Sequence, residues 1–227
     1  MARQQNLTQE DRLRVAQAVA EAESASAGEI VTIITERSDS YHDVALVWSA
    51  IAALLALSAL AIAPGFYLGL WDWLFGNWQV EWTPRQLFEL AILFGSLKFL
   101  GSWLILLWQP LRVWLVPRPL RNARVRNRAI TCFKVGAERR THGRTGILIY
   151  LSMAEHRAEI VADEAIASLV PPETWGHAMA SMIAELRQGR MADGMIAAVR
   201  EVGTVLAAHF PRDANDVNEL PDRLIEV

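Results

Sequence analysis

Residues 44–63 read VALVWSAIAALLALSALAIA, and residues 87–108 read LFELAILFGSLKFLGSWLILLW. The first segment has no charged residue over 20 positions, about the length that a helix needs to cross a ~30 Å hydrocarbon layer. The second segment is as apolar, except for Glu89 and Lys98. As core helices of a soluble protein, both would need more surrounding protein than a 227-residue chain offers. We therefore predict two transmembrane helices.

Aromatic residues surround the two segments. Tryptophan and tyrosine rings favour the membrane–water boundary, where one end of the ring is apolar and the other is hydrated. The connection at residues 63–84 is therefore expected to lie in the interface, rather than to form an aromatic ligand pocket. Eight of the nine tryptophans lie in or beside the segments: Trp48, Trp71, Trp73, Trp78, Trp82, Trp103, Trp108 and Trp114.

The charges that flank the segments predict the orientation. Residues 64–86 carry a net charge of −1, whereas residues 109–144 carry ten basic residues and one acidic residue, a net charge of +9. Lysine and arginine close to a span stay on the cytoplasmic side. The sequence thus predicts a multi-pass protein of the inner (cytoplasmic) membrane with both termini in the cytoplasm.

Lys98 lies in the middle of the second apolar segment. A charge at that depth costs at least ~2.5 kcal/mol on insertion scales. Glu89 cannot pair with it inside the helix, because nine residues at about 100° each put the two side chains on opposite faces. We predict that Lys98 contacts a partner or the interior of the helix pair, and a locally solvated or neutral lysine is the alternative.

The basic stretch after the second segment is predicted to contact anionic lipid or a membrane-protein partner. Each basic residue close to an anionic surface contributes ~1 kcal/mol. No base-stacking module accompanies the stretch, so nucleic acid is not expected as a partner. Cys132 is the only cysteine, which rules out an intrachain disulfide and fits a reducing compartment. The predicted contact residues are Arg118, Arg121, Arg124, Arg126 and Arg128.

The remaining residues are expected to form one soluble α/β domain in two pieces. Residues 1–43 hold an amphipathic helix, with a capping signal at Thr8, and the β-branched strand EIVTIITE. Residues 44–116 form the membrane hairpin. Residues 117–211 hold a basic helix, a β-hairpin made of ILIYLS and RAEIVA, and two amphipathic helices. Residues 212–227 are predicted to be an acidic, flexible tail.

The stretch TGILIYLSMAEHRAEIVADEAI, residues 145–166, resembles the TPM-domain family. The family motif is a Thr-Gly turn, an apolar strand, an acidic turn followed by a basic residue, and a second strand. The family includes a thylakoid-lumen protein involved in photosystem II repair and a receptor auxiliary subunit. The resemblance implies an α/β sandwich, a small sheet with helices on both faces, interrupted here by a two-helix transmembrane hairpin after its first strand.

The resemblance also implies a location for a site. Acid phosphatase activity and divalent-ion binding are attributed to the family, so the acidic group Glu155, Glu159, Asp163 and Glu164 with His156 is the first place to look. The predicted metal ligands are Glu155, His156, Glu159 and Asp163. A hard cation needs several converging oxygens at ~2.3–2.6 Å. The spacing matches no EF-hand or other specific motif, so a solvated hairpin edge is the alternative. His156 and Asp163 also depart from the family pattern, which often has an acid and a glycine there.

The favoured function is non-enzymatic: an accessory or assembly factor of a membrane complex, with homo-oligomerisation left open. No catalytic residue is predicted, and no cofactor apart from the option of a divalent cation. One alternative is a metal-dependent acid phosphatase that uses Glu155, Glu159 and Asp163. A further alternative is a membrane organiser that binds anionic lipid through the basic stretch.

Overall fold

The structure is a computed structural model that describes residues 7–76, 82–136, 145–212 and 223–226. By internal contacts the chain divides into two compact units. The first unit combines Met1–Asp39 with Arg118–Val227, and the second is Ser40–Pro117. The second unit is thus inserted in the sequence of the first.

The first unit contains both helices and strands, whereas the regular elements in the described part of the second unit are all helices. The strands are β1 (Glu29–Thr35), β2 (Gly146–Ser152), β3 (Arg157–Ala162) and β4 (Ile225–Glu226). The helices are α1 (Gln9–Glu23), α2 (His42–Ile62), α3 (Pro64–Phe75), α4 (Pro84–Leu106), α5 (Gln109–Leu115), α6 (Arg118–Gly136), α7 (Glu164–Leu169), α8 (Gly176–Leu186) and α9 (Met191–His209), with a 3-10 turn at Pro172–Trp175.

The four strands form one mixed sheet in the order β3-β2-β1-β4. Strands β1 and β2 are parallel neighbours, with Glu29 opposite Gly146 and Thr35 opposite Ser152, although the inserted unit separates them in sequence. Strand β3 returns antiparallel to β2, as the predicted hairpin requires. Strand β4 adds two residues beside β1 and lies parallel to it.

The sheet is covered on both faces, because its apolar residues alternate between two cores. Ile30, Ile34, Ile147, Ile149 and Leu151 join a large core with residues of α1, α8 and α9. Their neighbours in sequence point the other way and pack against Val125, Ala129 and Phe133 of α6. Such alternation places every second strand residue on the same face. The predicted α/β sandwich with helices on both faces is confirmed.

The start of α1 is determined locally. The Thr8 hydroxyl accepts a hydrogen bond from the Asp11 backbone N–H at 3.1 Å, and the Asp11 carboxylate accepts one from the Thr8 backbone N–H at 3.1 Å. This reciprocal pair is a capping box, which satisfies backbone donors that the first helical turn leaves unpaired. The predicted helix start at Thr8 is confirmed.

In the second unit, α2 and α4 pack against each other and correspond to the two predicted apolar helices. A Cβ atom added at Gly95 of α4 would lie 3.4 Å from the side chain of Leu57 of α2. Both helices are long and apolar enough to cross a membrane, and only 11% and 17% of their most apolar windows are buried. Most of their apolar surface is therefore exposed.

Several elements differ from the sequence prediction. The aromatic connection, expected as an interfacial loop, contains helix α3, which has no buried residue and packs Trp71 against Phe94 with ring centroids 5.8 Å apart. Helix α7 and strand β4 were not predicted, and Ile225–Glu226 belongs to the tail that was expected to be flexible. Trp78, the basic residues 139, 140 and 144, and tail residues 213–222 and 227 lie outside the described residues.

Candidate functional site

Strands β1 and β2 are parallel, so their carboxyl ends meet at one edge of the sheet, where α/β proteins commonly place their sites. Residues 36–39 follow β1 and lead into the inserted unit, and residues 153–156 form the turn after β2. The Met153 N–H donates to the Thr35 carbonyl at 3.0 Å, and the Ala154 N–H donates to the Glu36 carbonyl at 2.8 Å. These two bonds extend the strand pairing into the segment that leaves the domain.

Glu155 is the central residue of this edge and is only 1% exposed. Its two carboxylate oxygens accept the Ser38 backbone N–H at 3.0 and 3.2 Å. The Ser152 hydroxyl also donates to this carboxylate. A buried carboxylate needs such donors, because burial without hydrogen bonds would cost several kcal/mol. We call Ser38, Tyr150, Ser152 and Glu155 the polar cluster.

Tyr150 completes the polar cluster on the α6 side of the sheet. Its hydroxyl lies 3.0 Å from the Ser38 hydroxyl. Burial raises the pKa of Tyr150, and the hydrogen bond with Ser38 partly offsets that rise. The phenol is therefore a neutral hydrogen-bonding group at physiological pH.

An ion pair lies beside the polar cluster. Arg124 of α6 donates to the carboxylate of Asp39, and both side chains are 27% exposed. Together with Ser38, this contact attaches the last residues of the amino-terminal piece to the carboxyl-terminal piece of the domain. Of the predicted lipid or partner contacts, Arg124 is thus already engaged within the domain.

The four predicted metal ligands take different roles. Glu155 is enclosed in the polar cluster, whereas His156 is exposed in the hairpin turn with a positive φ of 49°. The left-handed conformation is one that histidine adopts more readily than most residues. In the part of the chain that the structure describes, no group of three or more His, Cys, Asp or Glu side chains is arranged to hold a metal ion. The four residues do not form such a group.

Glu159 lies on β3 opposite Tyr150. Burial raises its pKa, and the nearby guanidinium groups of Arg126 and Arg157 act in the opposite direction. Asp163 follows β3 and caps α7, where its Oδ1 accepts the Glu164 backbone N–H at 2.7 Å. Its other oxygen, Oδ2, is buried and has no hydrogen-bond partner among the described residues.

The remaining basic residues differ in exposure. Arg118, Arg126 and Arg128 are exposed on α6, and Arg121 is half-buried, with an Nε atom that lacks a hydrogen-bond partner within the described ranges. Arg126 is close enough to Glu159 to offset part of the rise that burial causes in the pKa of that residue. Lys98 is exposed on the surface of α4, so the predicted contact with the interior of the helix pair is not seen.

A groove of about 510 Å³ lies elsewhere in the first unit, between α1, α8 and α9. Part of its charged lining is paired: Arg14 binds Asp193, and Arg190 binds Glu185 at 2.5 Å. The groove contains none of the residues that the family resemblance implied.

Sequence reasoning missed Ser38, Asp39, Tyr150 and Ser152. The available signal was the polar RSDS segment directly after a buried strand, which we interpreted as a linker. Its partners lie more than 80 residues away, Arg124 at 85 and Glu155 at 117 positions. No local pattern identifies such pairs.

The fold places the protein in a structural class: it is an α/β sandwich domain whose sequence is interrupted by an inserted pair of apolar helices. The family model of the TPM domain matches residues 111–205. The chain therefore contains a TPM domain, and its resemblance to the TPM-domain family is confirmed.

A solved structure of another protein has a similar fold. The NMR structure of BA42 protein from the psychrophilic bacterium Bizionia argentinensis is similar with a TM-score of 0.57 and 16% sequence identity, covering 100% of both chains. At that identity the likeness shows the fold alone. No curated protein matches the chain.

Proposed function

We propose that the protein is a membrane-anchored accessory or assembly factor that presents its TPM domain to a membrane complex. The observation that carries this proposal is the pair α2 and α4, two long apolar helices whose surfaces are largely exposed. Exposed apolar surface of this extent needs lipid or another protein to cover it. The anchor is inserted in the domain sequence, so the domain and the anchor cannot be separated by a single cut.

The chemistry of the sheet edge favours a binding role over catalysis. The carboxylate of Glu155 accepts hydrogen bonds from the Ser38 N–H and the Ser152 hydroxyl. These contacts join distant parts of the domain. Asp163 caps a helix. A phosphatase that uses Glu155, Glu159 and Asp163 would need these carboxylates to converge on one cation or one phosphate group.

We further propose that the domain faces the cytoplasm. The support is the difference in charge between residues 64–86 at −1 and residues 109–144 at +9. Trp108 and Trp114, 66% and 75% exposed, flank the end of the second apolar helix, where rings are suited to the interface. Arg118 and Arg128 on α6 are exposed and available to anionic head groups.

The native mass of the tagged full-length protein, extracted in mild detergent, tests the proposal. A defined assembly well above the mass of one 25.4 kDa chain in its micelle, with a second membrane protein in stoichiometric amount, is the expected result. A lone monomer or a pure homo-oligomer would contradict the accessory role.

The same preparation tests the phosphatase alternative. We expect no hydrolysis of a chromogenic phosphate monoester with Mg²⁺, Ca²⁺, Mn²⁺ or Zn²⁺. Metal-dependent hydrolysis that is lost in Glu159→Gln, but kept in the exposed control Glu201→Gln, would overturn the non-enzymatic proposal.

A further inference from the structure

Lys98 is the feature of the apolar helix pair that the proposed function does not explain. It lies on α4, fourteen residues after Pro84 and eight before Leu106, so it is about 21 Å and 12 Å from the two helix ends. The nearer end is beyond the reach of its four-carbon stem. Lys98 is nevertheless exposed on the helix surface and is not covered by α2.

The described residues of the second unit offer Lys98 no carboxylate. Glu89 is bound to Arg85, four residues earlier on the same helix, at 2.8 Å. Asp72 belongs to α3, where its carboxylate accepts the Trp82 indole N–H at 3.4 Å. Asp43 lies in the first turn of α2, and the rest of that helix has no acidic residue.

A second copy of the chain would not supply the missing charge. In a symmetric dimer whose axis is perpendicular to the membrane, equivalent residues lie at the same depth, so Lys98 would face another Lys98 or an apolar residue. Self-association through this surface would therefore leave Lys98 without an anionic partner.

The helix surface beside Lys98 permits close packing. Gly101, one turn further along α4, has no atom within 4 Å of the position that a Cβ would occupy. Gly95, by contrast, is already in contact with Leu57 of α2. Small residues let helix backbones approach each other in a membrane. Gly101 is thus an open small position one turn from Lys98, for which the described residues of the second unit supply no carboxylate.

We propose that the Lys98 and Gly101 surface binds a transmembrane helix of a different protein that carries an aspartate or glutamate at matching depth. The inference rests on the proposed accessory function and names the chemistry of its partner. A carboxylate on the partner would form an ion pair with Lys98, and the low dielectric of the membrane makes such a pair specific for opposite charge. Membrane-embedded ionisable residues are generally paired in this way.

The test compares variants of the full-length protein by the amount of partner that co-purifies in mild detergent. Lys98→Met removes the charge at similar length, and we expect it to reduce the recovered partner at least tenfold while the protein stays in the membrane. Lys98→Arg should retain the partner. Leu100→Met, about 200° away around the helix and also exposed, is the matched control and should behave as wild type.

Exchanging the charges of Lys98 and the partner's acidic residue tests whether the two form an ion pair. The recovered partner should contain an acidic residue in a membrane span, and its change to lysine should restore binding to Lys98→Asp. Retention of the partner by Lys98→Met, or a partner without a membrane-embedded acid, would overturn the inference and leave the accessory function intact. Absence of any partner from the wild-type preparation would contradict both.

Discussion

At the scale of single residues, Glu155 is a buried carboxylate that contacts two distant pieces of the chain. The sequence placed it in an acidic turn next to His156, and a metal ligand was a reasonable hypothesis. The structure gives its carboxylate the Ser38 N–H and the Ser152 hydroxyl, in a position that is 1% exposed. The residue joins two pieces of chain that flank the inserted helices.

Glu155→Ala should therefore destabilise the domain. The change leaves the Ser38 N–H and the Ser152 hydroxyl without their buried acceptor, and hydrogen bonds to charged groups contribute about 1.5–3 kcal/mol each. Because the variant also removes the cost of burying a carboxylate, we expect a net loss of about 2–4 kcal/mol, measured by thermal unfolding in mild detergent. Glu201→Ala, an exposed helical position, is the control. An unchanged melting temperature for Glu155→Ala would show that the polar cluster does not hold the domain.

Glu159 gives a prediction about pH. Burial raises the pKa of Glu159 above the ordinary 4.5, so the folded state holds this proton more tightly than the unfolded state. Its contribution to stability is then favourable at low pH and is lost as the pH rises from 4.5 through the raised value. Arg126 and Arg157 reduce the effect.

Glu159→Gln removes this dependence. We expect the variant to melt at a higher temperature than the wild type at pH 7, and the difference to disappear at pH 4, where both side chains are neutral. The measurement is the melting temperature of both proteins across that range. A wild type that is more stable than the variant at pH 7 would mean that the two arginines outweigh burial.

At the scale of elements, local patterns predicted most of the architecture. Thr8 and the apolar spacing of α1, the β-branched run of β1 and the alternation of β3 are all signals within a few residues. Strand β4 gave no such signal, because Ile225–Glu226 is defined by pairing with β1, nearly 200 residues away. Register between distant segments depends on the assembled sheet and cannot be inferred from either segment alone.

The contact between α1 and α9 gives a prediction at this scale. A Cβ added at Gly203 of α9 would lie 2.6 Å from Cβ of Ala22 in α1, closer than real atoms approach. Gly203→Ala should therefore destabilise the domain by about 1–2 kcal/mol, because overpacking outweighs the gain of about 1 kcal/mol in helix propensity.

Two variants separate the clash from a general effect of alanine. Gly176→Ala, at the start of α8, has open space around the added methyl group and should be neutral or stabilising. Ala22→Gly should restore stability to Gly203→Ala in thermal unfolding, since it removes the opposing Cβ. If Gly203→Ala were as stable as the wild type, the two helices would not approach as closely as described.

At the scale of the whole molecule, the chain contains a TPM domain match at residues 111–205, and a pair of apolar helices is inserted in the sequence of its first compact unit. Hydropathy was sufficient to find the two helices, because about twenty consecutive apolar residues are a strong signal. The candidate site was less predictable, since neither Ser38 nor Arg124 indicates its distant partner. The proposed accessory function depends on the helices crossing a membrane with the domain on its cytoplasmic side.

Thiol labelling in intact cells tests that central claim most directly. In a Cys132→Ser background, Arg85→Cys introduces a thiol in the first turn of α4, and Glu201→Cys introduces one at an exposed position of α9. The account predicts that a membrane-impermeant maleimide labels Arg85→Cys in intact cells and labels Glu201→Cys only after permeabilisation. Labelling of Glu201→Cys in intact cells would contradict the cytoplasmic location of the domain. Release of the protein from membranes by alkaline washing would contradict the claim that the two helices cross the membrane.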